Sequence, residues 1–275
     1  MIFCGKWPVG ICSWSLDNDL AQLNKLREKV GIDRVHLALD PAIKDFKTGY
    51  LHDFIQDGWN ISATMTGFEQ EDYSTLESIK RTGGIVPDEY WSGNRAAVFK
   101  AVEATASLNV KYLEFHFGFI DITDTIYAAK LAARAKELAK AADKNGVTIL
   151  METGQETART LLDFLKMVDH ASLAVNFDPA NMILYGKGDP VEAVEMLGPW
   201  IKHVHIKDAL SSHVAGRWGK EVAWGTGAVG ADAFLKALKR TDFVGTLSIE
   251  REAGTSRVAD IESAVVKLNN AGQNL

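Results

Sequence analysis

The sequence predicts a (β/α)8 barrel, and three observations point to it. Eight short β-prone runs alternate with helical patterns along the chain, which is the repeat of that fold. The 275 residues match the usual size of one barrel, so we expect a single domain over residues 1–275. Several runs end in an acidic residue, as expected where parallel strands meet at one mouth of a closed barrel. A doubly wound open sheet is the alternative, because it shares the strand–helix repeat.

The first part of the chain contains three strand–helix units. A β-prone run at 9–14 leads to a helix that Asn18 can cap and Gly31 can end. The next two strands are predicted at 34–39 and 60–66, and an apolar helical pattern lies between them at 50–55. A long connection, 67–87, follows the third strand and contains a short helical pattern at 73–81. Connections of that length in a compact domain are usually lids or binding loops.

The remaining units have clearer boundaries. Asn145-Gly146 ends a long helix that is rich in alanine, lysine and leucine, and Asp189-Pro190 begins another as a cap and a first-turn proline. The remaining strands are predicted at 110–117, 147–152, 173–178, 203–208 and 246–250, and the helices at 91–109, 123–145, 157–168, 231–239 and 256–270.

The seventh strand carries a row of polar residues. Residues 203–208 read His-Val-His-Ile-Lys-Asp, so the two histidines and Lys207 share one face of a strand. Val204 and Ile206 share the other face, which is suited to packing on helices. The polar face must then point into an enclosed interior, where imidazoles and an ammonium group require carboxylates from other strands.

Three other predicted strands end in such a carboxylate, namely Glu152, Asp178 and Glu250. Together with His205 they offer three carboxylates and one imidazole, a donor set that suits one divalent ion. Oxygen donors favour Mn²⁺, which we expect, or Mg²⁺ or Co²⁺, and Zn²⁺ also fits. The alternative is a salt-bridged polar network that holds no metal.

The chain resembles the xylose isomerase-like TIM barrels, the sugar phosphate isomerase/epimerase superfamily, at four successive strand ends. The matching motifs are Met151-Glu152-Thr153-Gly154, Asn176-Phe177-Asp178-Pro179-Ala180-Asn181, His203-Val204-His205-Ile206-Lys207-Asp208 and Ser248-Ile249-Glu250. Their key residues are spaced by 26, 27 and 45 positions. The resemblance implies that Glu152, Asp178, His205 and Glu250 hold a metal and that Glu152 and Glu250 also act as an acid/base pair.

The implied function is a metal-dependent isomerase or epimerase of sugars, sugar phosphates or polyols. Moving a proton beside a carbonyl needs a base, an acid and a cation that stabilises the enediolate. A lyase of the inosose dehydratase type would use the same groups to expel a hydroxyl. A non-catalytic sugar-binding barrel is a further alternative. An endonuclease IV-like nuclease is disfavoured by the net charge of −6 and the pI of about 5.7. We therefore expect a small-molecule substrate, no nucleic acid and a possible homo-oligomer.

Further polar residues at the strand ends are candidate substrate contacts. His116 ends the fourth strand, although it could equally be a satisfied barrel histidine. Glu156 follows Glu152 closely and could bind a hydroxyl or complement a helix dipole. Asn181 stands where the resembled epimerases commonly carry a histidine, and asparagine can bind a substrate but cannot shuttle protons.

Two basic residues complete the candidates. Lys207 could stabilise an oxyanion, but pairing with a barrel carboxylate is favoured. Arg217 lies with Lys220 in a loop that includes Gly225 and Gly227, and could bind a phosphate or carboxylate. A plain glycine turn with solvated basic residues explains that loop equally well.

The remaining features indicate the compartment. Cys4 and Cys12 show no CxxC spacing, so neither a disulfide framework nor a cysteine zinc site is expected. No signal peptide and no long apolar run are evident, so we expect a cytoplasmic protein without a membrane partner.

Overall fold

Eight parallel strands close into a barrel in the computed structural model, which describes residues 1–45, 47, 49–214 and 216–275. The first barrel strand pairs with both the second and the eighth, and this closes the sheet. The barrel strands β1 to β8 are Trp7–Cys12, Arg34–Ala38, Asn60–Met65, Tyr112–Phe115, Thr148–Glu152, Leu173–Phe177, Ile201–Ile206 and Leu247–Ile249. The predicted single-domain (β/α)8 barrel is therefore confirmed, and the open sheet is wrong.

Helices surround the barrel. The helices α1 to α11 are Leu20–Val30, Asp40–Ile43, Tyr50–Gln56, Leu76–Thr82, Trp91–Ser107, Thr125–Lys144, Ala158–Val168, Pro179–Tyr185, Pro190–Leu197, Ala231–Arg240 and Arg257–Gly272. Short 3-10 helices lie at Ser13–Leu16 and Gly198–Trp200. No helix in the part of the chain that the structure describes is long and apolar enough to cross a membrane.

Some local details differ from the sequence prediction. Asp19, not Asn18, caps α1, because its carboxylate accepts hydrogen bonds from the backbone at positions 21 and 22. The sequence pattern does not predict helix α8, which is short and follows Asp178 directly. A small hairpin of Asp208–Leu210 and Lys220–Val222 lies in the region predicted as an irregular loop. Its strands have three residues each, too few for a periodic signal.

The two faces of each barrel strand have different environments. Val204 and Ile206 are completely buried and belong to the apolar layer between the strands and the helices, where Phe177 also stacks on Phe234 of α10 at 5.7 Å. The alternate residues, including His203, point into the barrel and are buried there. The interior is therefore a polar layer that apolar packing holds in place from outside.

The long connection after β3 is attached to the end of β4. The Glu71 carboxylate accepts hydrogen bonds from the backbone N–H groups of Phe68 and Gly84, at 3.1 and 2.9 Å. Gly84 has a φ of +63°, and a Cβ at this position would overlap the backbone of Phe117. Only glycine allows this close approach, so Gly84 fixes the connection over the barrel mouth.

We predict that Gly84→Ala destabilises the protein much more than Gly146→Ala. Gly146 also has a positive φ, +70°, but no atom lies within 4 Å of the position that a Cβ would occupy there. Gly146→Ala should therefore lower the free energy of unfolding by only about 1 kcal/mol, the cost of the left-handed conformation. Gly84→Ala adds a backbone overlap and should cost about 3 kcal/mol. Equal losses in urea unfolding would show that the close approach is unimportant.

Candidate metal centre

Four polar side chains converge at the carboxyl ends of β5 to β8. They are Glu152, Asp178, His205 and Glu250, and one ligand atom of each lies within 4.8 Å of the others. All four are buried. The strand ends bring them together because consecutive parallel strands of a barrel place their last inward residues around one axis.

The carboxylates surround one nitrogen of His205. Its Nδ1 lies 2.9 Å from Glu152 Oε1, 3.1 Å from Glu250 Oε2 and 3.8 Å from Asp178 Oδ2. Asp178 Oδ2 is buried and accepts no hydrogen bond from any described residue. A lone pair left unsatisfied in a buried site is costly unless a cation shares it. The three oxygens and one nitrogen therefore fit a divalent ion.

The charges of these groups support one another. Burial alone would raise the pKa of Glu152, but the imidazoles of His116 and His205 hold it well below its usual value. Burial alone would likewise lower the pKa of His116, yet Glu152, 2.9 Å from its Nε2, raises it to about 10. Glu152 is thus an ionised carboxylate at neutral pH.

A cavity of about 590 Å³ opens above the cluster. Glu152 and Glu250 line it, whereas Asp178 and His205 lie beneath its floor. The two glutamates can therefore contact both an ion and a substrate. The other lining residues are Trp14, Asp40, Met65, Thr66, Gly67, Tyr73, Glu114, Phe115, His116, Asn181, Leu184, Tyr185, Lys207, Trp218, Gly219, Glu221, Glu252 and Ala253.

Three of the five predicted substrate contacts line this cavity. His116 and Asn181 both contact Glu152, and the Asn181 amide donates to its Oε1 at 3.2 Å. Lys207 is buried with its Nζ 3.1 Å from Glu250 Oε2 and 2.7 Å from Glu252 Oε2. Burial would lower the pKa of Lys207, but these carboxylates hold it well above its usual value. The lysine is thus a charged partner of the cluster, as favoured from the sequence.

The other two predicted contacts lie elsewhere. Glu156 is buried, and burial raises the pKa of its carboxyl to about 8. Arg217 is exposed. Neither lines the cavity, so their contact with substrate stays a prediction that the geometry does not support.

The glycine loop after β7 binds a carboxylate of this chain. Asp208 accepts hydrogen bonds from the backbone N–H groups of Gly225 and Gly227, both at 2.9 Å, and of Val229 at 3.1 Å. These are the donors that could have held a substrate phosphate. Because Asp208 already uses them, they are not available to an anionic ligand.

Further aromatic and acidic residues complete the cavity wall. Tyr73 lies on the long connection, and Tyr185 packs edge-on against Trp218 at 4.8 Å. Alternation along β4 could have indicated Glu114, but no sequence signal marks these three aromatic residues. Trp14, at the end of the first predicted strand, donates from Nε1 to Glu250 Oε1 at 2.6 Å.

The chain is similar to known proteins in sequence and in fold. Inosose dehydratase 1 of Bacillus cereus is 27% identical over 152 residues, which cover 50% of this chain and 51% of that protein. The match thus spans about half the length of that relative. The crystal structure of a xylose isomerase domain protein from Planctomyces limnophilus is 29% identical, with a TM-score of 0.88 and 98% of each chain covered.

Two solved structures of lower identity share the fold. A xylose isomerase-like TIM barrel protein from Mycobacterium smegmatis, in complex with magnesium, is 18% identical with a TM-score of 0.74, covering 98% of this chain and 99% of that one. An L-ribulose 3-epimerase is 17% identical with a TM-score of 0.73, and the match covers 98% of this chain and 96% of that one. The family model described as "Xylose isomerase-like TIM barrel" matches residues 64–269. Because that match covers most of the chain, the protein belongs to the xylose isomerase-like TIM barrel family.

Proposed function

We propose that this protein is a divalent-metal-dependent isomerase or epimerase of sugars or polyols, which moves a proton at a carbon beside a carbonyl. One observation carries the proposal. Glu152 and Glu250, on opposite sides of His205, both line the cavity and both belong to the cluster that fits an ion. Two carboxylates that reach one substrate from different strands can remove a proton and return it.

The ion would be held by Glu152, Asp178, His205 and Glu250. We favour Mn²⁺ because the donor set has three carboxylates and one imidazole, and Mg²⁺, Co²⁺ or Zn²⁺ would also suit it. When bound, such an ion stabilises the negative charge of an enediolate. The magnesium in the M. smegmatis protein supports an oxygen-seeking metal in this fold.

The chain's own residues would hold the two bases in place. The Asn181 amide holds Glu152, and the Trp14 indole holds Glu250, each by one hydrogen bond. His116 and Lys207 would donate hydrogen bonds to substrate oxygens, since both line the cavity. One glutamate, in its ionised form, would remove the proton and give the enediolate. The other glutamate would enter the step carrying a proton from solvent and donate it to the opposite face, which inverts the carbon, and exchange with solvent would then restore both groups.

We predict that the wild-type protein incorporates solvent deuterium into its product and that Glu152→Gln and Glu250→Gln each lose about 10²–10⁴-fold in kcat. The amide cannot accept the proton. Glu195→Gln is the control, because this residue lies on the surface and pairs with Arg240. Ketoses, aldoses and inososes in D₂O, followed by NMR, provide the assay. Turnover without deuterium in the product would favour a hydride shift and contradict proton transfer.

A dehydratase is the second candidate, favoured by the likeness to inosose dehydratase 1. It would share the first proton removal, after which His116 protonates a departing hydroxyl. The imidazole Nε2 is 2.9 Å from Glu152 and lines the cavity, so it is well placed for that role. A product lighter by one water in mass spectrometry would establish this reaction instead.

We predict that Mn²⁺ stabilises the wild-type protein and that Asp178→Asn removes most of this effect. An ion at 100 times its Kd should add about 2.7 kcal/mol to the free energy of unfolding. Asparagine keeps a helix cap at α8 but supplies no anionic ligand. Asp189→Asn is the matched control, because Asp189 caps α9 in the same way. An equal Mn²⁺-dependent shift in melting temperature in the Asp178→Asn variant would place the ion elsewhere.

The cavity also supports a neutral, unphosphorylated substrate. Its described lining residues include no arginine, and its only lysine, Lys207, is paired with Glu250 and Glu252. Six acidic residues line it: Asp40, Glu114, Glu152, Glu221, Glu250 and Glu252. Burial raises the pKa of Glu114 well above its usual value, so five of them carry the negative charge. The other cationic lining residue, His116, is paired with Glu152. A dianionic group would meet this negative field at close range, and the nearby amide donors are already bound to Asp208.

We predict that a phosphorylated form of the preferred substrate binds at least about tenfold more weakly than the neutral form, owing to this repulsion. Glu252→Gln should reduce the difference in affinity between the neutral and the phosphorylated compound, because it releases Lys207 from one of its carboxylate partners. Glu195→Gln again serves as the control. Competition assays measure both inhibition constants. Tighter binding of the phosphate by the wild-type protein would contradict the expectation.

A further inference from the structure

We infer that His36 is a positioning residue that accepts a hydrogen bond from His205 and thereby fixes the tautomer in which His205 offers Nδ1 to the ion. The inference rests on the proposed ion site. His36 lies on β2, across the barrel from the four ligand candidates, and is completely buried. It does not line the cavity, so it would act only through His205.

The geometry begins with the two nitrogens of His205. Nδ1 faces the carboxylates, whereas Nε2 is 3.1 Å from His36 Nδ1. A neutral imidazole that donates one lone pair to an ion carries its proton on the other nitrogen. Nε2–H of His205 therefore needs an acceptor inside the barrel.

Among the described residues, His36 offers the acceptor for this proton. The Asn176 amide nitrogen lies 3.1 Å from Nε2 and 3.3 Å from Nδ1 of His205. An atom that is almost equally distant from both ring nitrogens lies against the face of the ring, so this NH₂ group is out of line with the Nε2–H bond. The Asn176 Oδ1 is 2.9 Å from His203 Nδ1, which can donate to it because Ser248 Oγ lies 3.1 Å from His203 Nε2 and can donate there. His36 Nδ1, at 3.1 Å, is the remaining nitrogen or oxygen close to Nε2 in the part of the chain that the structure describes.

His36 is held in the form that can accept. Its ring is completely buried, and a buried site disfavours a charged imidazolium, so the neutral form is the one that fits here. With its lone pair at Nδ1, the proton of His36 lies on Nε2, which faces Glu114 Oε2 at 3.9 Å, beyond hydrogen-bond distance. The rings of Trp14 and His203 pack edge-on against it at 4.9 and 4.6 Å, so rotation of the ring is blocked.

Strand alternation directs His36 into the barrel. On β2 it lies between Val35 and Leu37, which are completely buried and belong to the apolar layer outside the strands. The pairing of β2 with β3 shifts beside it, where Ser62 is the extra residue of β3. Only the closed barrel brings His36 against His205, which is 169 residues away along the chain.

The experiment compares His36→Asn with His36→Phe in the full chain. Asparagine has an Oδ1 about where the histidine has Nδ1, so it can still accept the proton, whereas phenylalanine fills the space without an acceptor. Mn²⁺ affinity, measured by competition with a chelator, should fall about 10–100-fold in His36→Phe and stay close to the wild-type value in His36→Asn. A role in packing alone would lower the melting temperature without this rescue.

A spectroscopic measurement on the wild-type protein tests the same inference without any variant. In protein with ¹⁵N-labelled histidine loaded with Zn²⁺, we expect His205 to be protonated at Nε2 and His36 to be protonated at Nε2 and bare at Nδ1. A proton on His36 Nδ1 would overturn the inference, even if the variants fail to fold.

The outcomes separate this inference from the proposed function. A wild-type protein that binds no divalent ion would overturn both. Normal Mn²⁺ affinity in His36→Phe would overturn the role of His36 alone.

Cys12 also has its sulfur within 4.8 Å of the His36 and His205 nitrogens. If metal analysis finds two ions per wild-type chain and one per Cys12→Ala chain, these nitrogens bind a second ion. The proposed hydrogen bond from His205 to His36 would then be excluded.

Discussion

The convergence of three carboxylates on one imidazole nitrogen is the constraint on which the rest of the site depends. Glu152, Asp178 and Glu250 are all buried, and all approach His205 Nδ1 within 3.8 Å. Like charges at such distances in a poorly solvated interior repel strongly unless cations lie among them. Lys207 supplies part of this compensation, and the geometry of the unsatisfied Asp178 oxygen supports a metal ion as the rest.

The barrel interior is built in layers around this cluster. Beneath it, His36 contacts His205, and a second set of hydrogen bonds joins Ser248, His203 and Asn176. The cavity lies above it, and its floor consists partly of the two glutamates. Apolar packing against the outer helices supports both layers, so the polar residues can serve binding without having to stabilise the fold.

The loops at the mouth are also held by carboxylates of this chain. Asp208 binds the glycine loop, and Glu221 of the hairpin after β7 accepts hydrogen bonds from the Arg251 side chain and the Glu252 backbone. Glu71 holds the long connection over the other side. These internal contacts leave an acid-rich, aromatic-walled opening, which is why we propose a neutral polyhydroxy substrate and not a phosphate.

The sequence by itself determined the fold class and the four residues of the cluster. Period-2 alternation in residues 203–208 and single acids at the ends of neighbouring strands are local signals, and parallel strands in a closed barrel place such ends together whatever the loops do. Only the tertiary structure decided which further residues contact the cavity or the cluster. Tyr73 and Trp218 carry no periodic signal, because their positions depend on a long connection and on the short hairpin after β7. His36 follows the alternation of β2, but only the closed barrel brings it against His205. Lys207 and Arg217 differ for the same reason. Lys207 directly follows strand β7 and lines the cavity, whereas Arg217 lies in an exposed loop and does not.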